Sequence, residues 1–202
     1  MVYLNAIILI LFMLFSGAET VDGLKVGDRA VDFNLKNIDG TFVSLAANKD
    51  AKGYILIFTC NTCPYSVAYE DRIIQLHNKY APKGYPVVAV QPNSPKKSPG
   101  DSFEKMQKRA RSKNFPFPYL MDETQEVTRT YGATNTPHVY VLNRQSNESF
   151  KIEYIGAIDN NSRDAAAADK HYVQQAVDNL LKGKGVETTK TKAIGCTIKW
   201  AS

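Results

Sequence analysis

Two of the three cysteines in this chain of 202 residues, Cys60 and Cys63, are separated by only two residues. A pair at this spacing can cycle between a dithiol and a disulfide, which is the chemistry of thiol–disulfide exchange. Two thiolates at this spacing could also hold a soft metal ion such as Cu(I) or Zn(II), with His138 as a further ligand. Two inert buried cysteines, or an inert disulfide, would be a purely structural alternative. The pattern therefore predicts redox thiol chemistry and leaves metal binding without turnover as an alternative.

The motif lies where a buried strand is expected to give way to a helix. Residues 54–58 form a continuous apolar run that is typical of a central strand buried on both faces. Pro64 suits the first position of a helix, so Cys63 is predicted to be the N-cap. The unpaired N–H groups and the dipole at that end favour a thiolate over a thiol. We therefore predict that Cys63 is the more acidic, attacking thiol and that Cys60 is its resolving partner.

The rest of the chain alternates between strand and helix patterns. A β-hairpin is expected over 30–45 and a helix over 64–80, and strands are expected over 86–90, 118–121, 138–142 and 150–155. Capping patterns predict further helices that begin at Asp101, at Asp122 and at Asn161 or Ser162. This order predicts an α/β chain whose central mixed sheet is flanked by helices, with an N-terminal β-hairpin and a helical insertion between about residues 99 and 122. It is the order of a thioredoxin fold.

The chain divides into three segments. Residues 1–18 contain no charged side chain, and their apolar run over 6–15 is followed by small residues, which predicts a signal peptide that is cleaved before Glu19. An uncleaved N-terminal anchor is the alternative, because no Lys or Arg precedes the apolar run. Residues 24–184 are predicted to form one domain and 185–202 a C-terminal tail. We therefore expect an exported protein, periplasmic or secreted, in a compartment where disulfides persist.

The charge balance argues against a nucleic-acid partner. The chain has 25 Lys and Arg against 20 Asp and Glu, a net charge of +5, and no nucleic-acid-binding motif. Positive residues concentrate in the predicted insertion, which we interpret as a solvated helix face, with docking of an acidic partner as the alternative. Glu70 is interpreted as a surface acid of its helix and Asp122 as an N-cap. We expect no contact with a membrane beyond the signal segment.

Several short motifs resemble the redoxin, or AhpC/TSA-like, branch of the thioredoxin superfamily, and specifically its peroxiredoxin-like group with a C-x-x-C. They are Val26-Gly27-Asp28, Ile57-Phe58-Thr59-Cys60-Asn61-Thr62-Cys63-Pro64-Tyr65, Phe117-Pro118-Tyr119-Leu120, Tyr131-Gly132-Ala133 and Thr136-Pro137. The resemblance covers residues 24–184 and implies a thioredoxin-like fold with thiol chemistry at Cys60 and Cys63. We expect no cofactor. It also implies that Pro137 is a cis-proline facing the dithiol and that Thr136 supplies backbone groups that pair with a substrate strand.

One departure from the family pattern bears on the reaction. Typical peroxiredoxins carry P-x-x-x-[TS]-x-x-C around the peroxidatic cysteine, and counting back from Cys63 places Cys60 at the hydroxyl position and Leu56 at the proline position. Counting back from Cys60 gives Ile57 and Gly53, which match no better. We therefore predict exchange with protein thiols or disulfides and with an upstream electron donor. Peroxide reduction by a peroxiredoxin-like antioxidant enzyme is the alternative.

The third cysteine, Cys196, lies in the tail beyond the last predicted helix. Pairing with Cys60 or Cys63 would make it a relay or resolving residue, whereas burial under the neighbouring apolar side chains would make it inert. The alternation over Ile194–Ile198 predicts that the tail packs as an edge strand. The sequence leaves both roles of Cys196 open.

Overall fold

The computed structural model describes residues 23–201, so the predicted signal peptide at 1–18 lies outside the described residues. The strands are β1 (Leu35–Asn37), β2 (Phe42–Val43), β3 (Gly53–Phe58), β4 (Val87–Gln91), β5 (Tyr119–Met121), β6 (Asn135–Thr136), β7 (His138–Arg144), β8 (Phe150–Gly156) and β9 (Cys196–Thr197). The α-helices are α1 (Pro64–Tyr80), α2 (Phe103–Lys113), α3 (Glu126–Tyr131) and α4 (Tyr172–Leu181).

The centre of the fold is a mixed seven-stranded sheet in the order β2-β1-β5-β4-β3-β7-β8. Strands β3, β4 and β5 are parallel, whereas β7 and β8 at one end and β1 and β2 at the other pair antiparallel with their neighbours. A separate two-stranded sheet joins β6 to β9. The predicted α/β class, the mixed sheet flanked by helices and the N-terminal hairpin are all confirmed.

The centre of the sheet is buried on both faces, and its central strand β3 is apolar along its whole length. All six residues of β3 are buried, as expected for a strand between two layers. Successive side chains of a strand point to opposite faces, so Ile55 and Ile57 pack against α1, α2 and α4. Leu56 and Phe58 pack on the other face with Tyr131 of α3. The end of β3 is therefore held rigidly, and this end leads into the cysteine motif.

Helix α1 has the bounds that the sequence pattern predicts, and it packs one face on the sheet. Its buried positions include Tyr69, Ile73, Leu76 and Tyr80, which recur at the three- and four-residue spacing of a helix face. The predicted helical insertion is α2, which connects the parallel strands β4 and β5. It is a crossover within the sheet and not an appendage to it.

The predicted N-terminal positions of helices α2 and α3 are wrong. Ser102, and not Asp101, is the N-cap of α2, because its hydroxyl accepts from the N–H of Lys105. Gln125, and not Asp122, is the N-cap of α3. The Asp122 carboxylate still anchors this helix, since it accepts from the backbone N–H and the hydroxyl of a residue inside it, Thr128, at 2.7 and 2.5 Å.

The last helix also begins later than predicted. Helix α4 begins at Tyr172, with His171 as its N-cap, about ten residues after the expected start. The Asn161 side chain accepts from the N–H groups of residues 163 and 164, so it forms a local turn instead of capping a helix. The same polar chemistry supports either structure, which explains the error.

Glu70 is not the surface acid that the sequence suggests. It is 5% exposed and receives two hydrogen bonds from the Arg109 guanidinium, at 2.6 and 2.7 Å. Lys113 lies 3.7 Å from the same carboxylate. Part of the basic face of α2 therefore pairs with α1 and does not face solvent.

Within residues 23–201 no helix is both long and apolar enough to cross a membrane.

Candidate active site

The two cysteines lie in the tight connection between β3 and α1. The connection leaves the buried end of β3 after Phe58, and α1 begins at Pro64 with Cys63 as its N-cap. The predicted N-cap position of Cys63 is therefore confirmed. Both cysteines are buried, with Cys60 3% and Cys63 2% exposed, and both are free thiols.

A buried carboxylate that the sequence analysis assigned to a helix start holds this connection in place. Asp101 is fully buried, and its carboxylate accepts from the backbone N–H groups of Asn61 and Thr62 at 2.8 and 3.1 Å. The Thr62 hydroxyl donates to the second carboxylate oxygen at 2.8 Å, and Ser98 and Asn93 donate to the same oxygen. Hydrogen bonds to a charged acceptor are the strong ones, so Asp101 fixes the backbone between the two sulfurs.

Each sulfur contacts a different atom of Thr136. Cys60 Sγ lies 3.2 Å from the Thr136 hydroxyl and 3.9 Å from the hydroxyl of Ser66, whereas Cys63 Sγ lies 3.1 Å from the Thr136 carbonyl oxygen. The peptide bond between Thr136 and Pro137 is cis. The residues that the resemblance selected, Thr136 and Pro137, therefore do lie beside the dithiol.

Cys196 joins the same cluster from the other end of the chain. Its Sγ lies 2.7 Å from Cys63 Sγ, and its backbone N–H donates to Cys63 Sγ at 3.3 Å. Strand β9 pairs antiparallel with β6, which places Cys196 opposite Thr136. The predicted edge strand in the tail is confirmed, and all three cysteines of the chain meet at one site.

The environment of the three thiols separates their acidities. Hydrogen bonding to Cys60 is the largest effect on Cys63 and, with hydrogen bonds from Cys196, lowers the pKa of Cys63 far below that of a free thiol despite burial. The carbonyl oxygen of Thr136 can accept a hydrogen bond from the protonated Cys63 thiol but not from the thiolate. This contact therefore opposes the lowering of the Cys63 pKa. The hydrogen bond to Cys63, burial and the charge of Asp101 together raise the pKa of Cys60.

These directions agree with the prediction that Cys63 is the more acidic thiol. A thiolate is the nucleophile in disulfide exchange, and this order of pKa values makes Cys63 the sulfur that loses its proton first. Which cysteine attacks a substrate stays a prediction.

The possible metal ligand, His138, uses one ring nitrogen as a hydrogen-bond acceptor for the backbone. It lies at the start of β7, where its Nδ1 accepts from the N–H of Thr134 at 3.4 Å, and its ring packs on Tyr140 with a centroid separation of 5.1 Å. Among residues 23–201, no group of three or more His, Cys, Asp or Glu side chains is arranged to hold a metal ion.

Two solved structures resemble most of this chain in both sequence and fold. An uncharacterized conserved protein from Geobacillus kaustophilus is 35% identical, with a TM-score of 0.81, over 89% of this chain and 94% of the other. A hypothetical protein from Sinorhizobium meliloti 1021 is 32% identical, with a TM-score of 0.81, over 90% of this chain and 97% of the other. Neither description assigns an activity.

More distant structures share the fold alone. A protein described as thiol:disulfide interchange protein DsbE from Chlorobium tepidum is 23% identical, with a TM-score of 0.60, over 79% of this chain and 99% of the other. A search of curated proteins gave no match.

The AhpC/TSA family model matches residues 26–150, which span β1 to the start of β8 and include Cys60, Cys63 and Thr136. This chain, with its thioredoxin-like fold, is therefore a member of the AhpC/TSA family of redoxins.

Proposed function

We propose that this protein is an exported thiol–disulfide oxidoreductase that acts through Cys60 and Cys63. The observation that carries the proposal is the position of Cys63 as the N-cap of α1, with its pKa lowered, and of Cys60 three residues upstream, with its pKa raised. Such a pair has the two properties that exchange requires, a nucleophile and a second thiol that can release the bound substrate.

The reaction needs only sulfur chemistry. The Cys63 thiolate attacks one sulfur of a substrate disulfide, so a Cys63–substrate bond forms and the second substrate sulfur leaves as a thiolate that takes up a proton. Cys60 then loses its proton and attacks Cys63, which forms the Cys60–Cys63 disulfide and releases the reduced substrate. The substrate gains two electrons and the enzyme dithiol loses two. A donor dithiol returns the enzyme to the reduced state, and reversal of every step gives the oxidising direction.

The Thr136 hydroxyl supports the resolving step. It lies 3.2 Å from Cys60 Sγ, and its hydrogen bond is the one side-chain contact that lowers the pKa of Cys60. Donation from this hydroxyl stabilises the Cys60 thiolate as it forms. Thr136 therefore touches both reacting sulfurs, the one through its hydroxyl and the other through its carbonyl.

The surroundings of Cys60 favour exchange over peroxide reduction. The hydrogen bond to Cys63, burial and the charge of Asp101 raise the pKa of Cys60, whereas a peroxidatic cysteine must react as a thiolate, so Cys60 is poorly suited to that role. The sequence position that carries a hydroxyl in typical peroxiredoxins is itself a cysteine here. Peroxide reduction is accordingly a control reaction in the test.

Reduction of insulin disulfides with dithiothreitol as the electron donor tests the proposal. We expect the wild-type chain to accelerate insulin reduction, and we expect Cys60→Ser and Cys63→Ser to lose the acceleration. Gly185→Ala, at a position with open space around its Cα, is the control that keeps it. Acceleration that survives Cys63→Ser would refute the proposed nucleophile. Rapid peroxide consumption without insulin reduction would refute the proposed reaction.

Export rests on the predicted signal peptide at residues 1–18. We expect the mature chain isolated from its native cell to begin at Glu19 and to be found outside the cytoplasm. A mature chain that begins at Met1 in the cytoplasm would contradict this part of the proposal.

A further inference from the structure

The C-terminal tail covers the dithiol and is fixed on both sides of Cys196. Before it, Thr191 donates through its N–H to the carbonyl of Ile155 at 3.0 Å. After it, the N–H of Ile198 donates to the carbonyl of Thr134 at 3.1 Å, and Ile198 is 4% exposed. The tail is therefore a built part of the fold at this site.

The last residues of the tail contact the segments that surround the motif. The Lys199 N–H donates to Asn93 Oδ1 at 2.8 Å, and its carbonyl accepts from Gln125 Nε2 at 3.0 Å. Trp200 lies under the Arg129 guanidinium, 4.4 Å from the ring centroid. These contacts order the chain beyond Cys196, so its sulfur is presented to Cys63 in one position.

We propose that Cys196 is a third redox-active residue, which exchanges with the Cys60–Cys63 disulfide by attacking Cys63 and so acts as a substrate built into the chain. The geometry that carries this inference is the 2.7 Å approach of the two sulfurs together with the pairing of Cys196 against Thr136. A disulfide bond is about 2.0 Å long, so little movement is needed. The inference rests on the proposed dithiol function because Cys60 is its leaving group.

The exchange is balanced without an external oxidant. Cys196 gives up its proton to solvent and its sulfur bonds to Cys63 Sγ, while the Cys60–Cys63 bond breaks. Cys60 leaves as a thiolate and takes up one proton, so one disulfide replaces another with no net oxidation. The Thr136 hydroxyl, 3.2 Å from Cys60 Sγ, stabilises the leaving thiolate.

The acidity of Cys196 follows the redox state of its neighbour. Burial and then the hydrogen bond and charge of the Cys63 thiolate raise the pKa of Cys196 in the reduced protein. Once Cys63 is part of a disulfide its charge is gone, and only burial remains of these three effects. Cys196 is thus a better nucleophile in the oxidised protein, where the exchange takes place.

The tail also controls access to Cys63. It occupies the backbone edge of Thr136 next to both sulfurs, so an external chain that approached along this edge would have to displace it. Gly195 makes the close approach possible, because a Cβ at this position would collide with the carbonyl of Thr136. Gly185, in the same tail, has open space around its Cα and offers a matched control.

Disulfide mapping of the whole chain tests the inference. Trypsin leaves Cys60 and Cys63 together in the peptide 53–72 and Cys196 in the peptide 193–199, so a disulfide to the tail links two peptides. We expect acid-quenched, alkylated protein from glutathione buffer to contain both this linked pair and an internal disulfide in 53–72. We expect Cys60→Ser to retain the linked pair and Cys63→Ser to lose it.

The outcomes separate this inference from the proposed function. An internal disulfide in 53–72 without any linked pair would overturn the inference and leave the dithiol function intact. A linked pair without the internal disulfide would overturn the exchange step together with the dithiol function. A linked pair that survives Cys63→Ser would overturn the assignment of Cys63.

A second variant tests the tail without touching a thiol. We expect Gly195→Ala to lower the yield of the linked pair by about tenfold, since the new methyl group forces the tail away from Thr136. We expect the same variant to accelerate alkylation of Cys63, and Gly185→Ala to change neither quantity. Equal yields in the two variants would overturn the role of the tail.

Discussion

Replacing Cys60 by alanine removes the largest influence on the acidity of Cys63. In the reduced protein, hydrogen bonding by the Cys60 thiol is the first cause of the lowered pKa of Cys63. The Cys196 contacts to Cys63 remain in this variant. We therefore expect Cys60→Ala to raise the pKa of Cys63 while leaving it below that of a free thiol.

The size of the effect follows from the energy of one charged hydrogen bond. Such bonds contribute about 1.5 to 3 kcal/mol, and the weak S–H donor places this one near the lower end. Because about 1.4 kcal/mol corresponds to one pH unit, the midpoint should move upward by about one pH unit. Cys60→Ser is the matched control, since its hydroxyl still donates and should keep the midpoint near that of the wild type.

Ultraviolet absorbance of the thiolate measures the midpoint without requiring access to the buried sulfur. The titration is recorded for the fully reduced protein, and the difference from Cys63→Ser isolates the Cys63 transition. A midpoint that does not move in Cys60→Ala would refute the hydrogen bond between the two cysteines. An equal upward movement in Cys60→Ser would show that the donor atom is not the cause.

Three further predictions concern buried charged or titratable groups and their partners. Asp101→Asn should lower the free energy of unfolding by about 2 to 4 kcal/mol, because the amide has one acceptor oxygen for several donors; denaturant unfolding with a loss below about 0.5 kcal/mol would contradict this role. Arg109→Ala should lower the free energy of unfolding by about 1 to 3 kcal/mol because it removes both hydrogen bonds to buried Glu70. Arg111 is exposed on the same helix, so Arg111→Ala should leave the free energy of unfolding almost unchanged. Equal losses of unfolding free energy for the two variants would refute the pairing of Arg109 with Glu70. Burial lowers the pKa of His138 to about 4, so its contribution to stability is complete above about pH 6.5 and is lost as pH falls toward 4. That loss amounts to about 3 kcal/mol and should be absent from unfolding curves of His138→Gln; an unchanged pH dependence would contradict the buried neutral ring.

The elements nearest the motif could be predicted because local patterns determine them. The apolar run of β3 and the helical spacing of α1 are visible within a few residues, and Pro64 alone indicates the N-cap position of Cys63. These features set the site chemistry before any distant contact is known. The order of the remaining strands and helices was likewise sufficient to predict the fold class.

The roles of the buried carboxylates could not be predicted in the same way. Asp101 and Glu70 have plausible local roles, as a helix cap and as a surface acid, and each local role conceals a partner 39 or 40 residues away. Asp101 contacts the motif only because α2 crosses between β4 and β5. A buried carboxylate of this kind is recognised once its donors are known, and the sequence alone does not supply them.

The role of Cys196 stayed open for the same reason. The alternating residues of the tail indicate a strand, but nothing in them identifies which edge the strand joins. The pairing of β9 with β6 brings together residues that lie 60 positions apart, and it brings Cys196 to a cysteine 133 positions away. Only the fold shows that the tail passes beside the dithiol.

A redox titration of the mature protein in glutathione buffers, read by the internal disulfide of the peptide 53–72, tests the central claim most directly. The account predicts a reversible two-electron couple between Cys60 and Cys63, and its potential will show whether the protein donates or accepts electrons in its compartment. The couple should persist in Cys196→Ser. Absence of a reversible Cys60–Cys63 disulfide in both proteins would contradict the assignment of this site as a thiol–disulfide oxidoreductase.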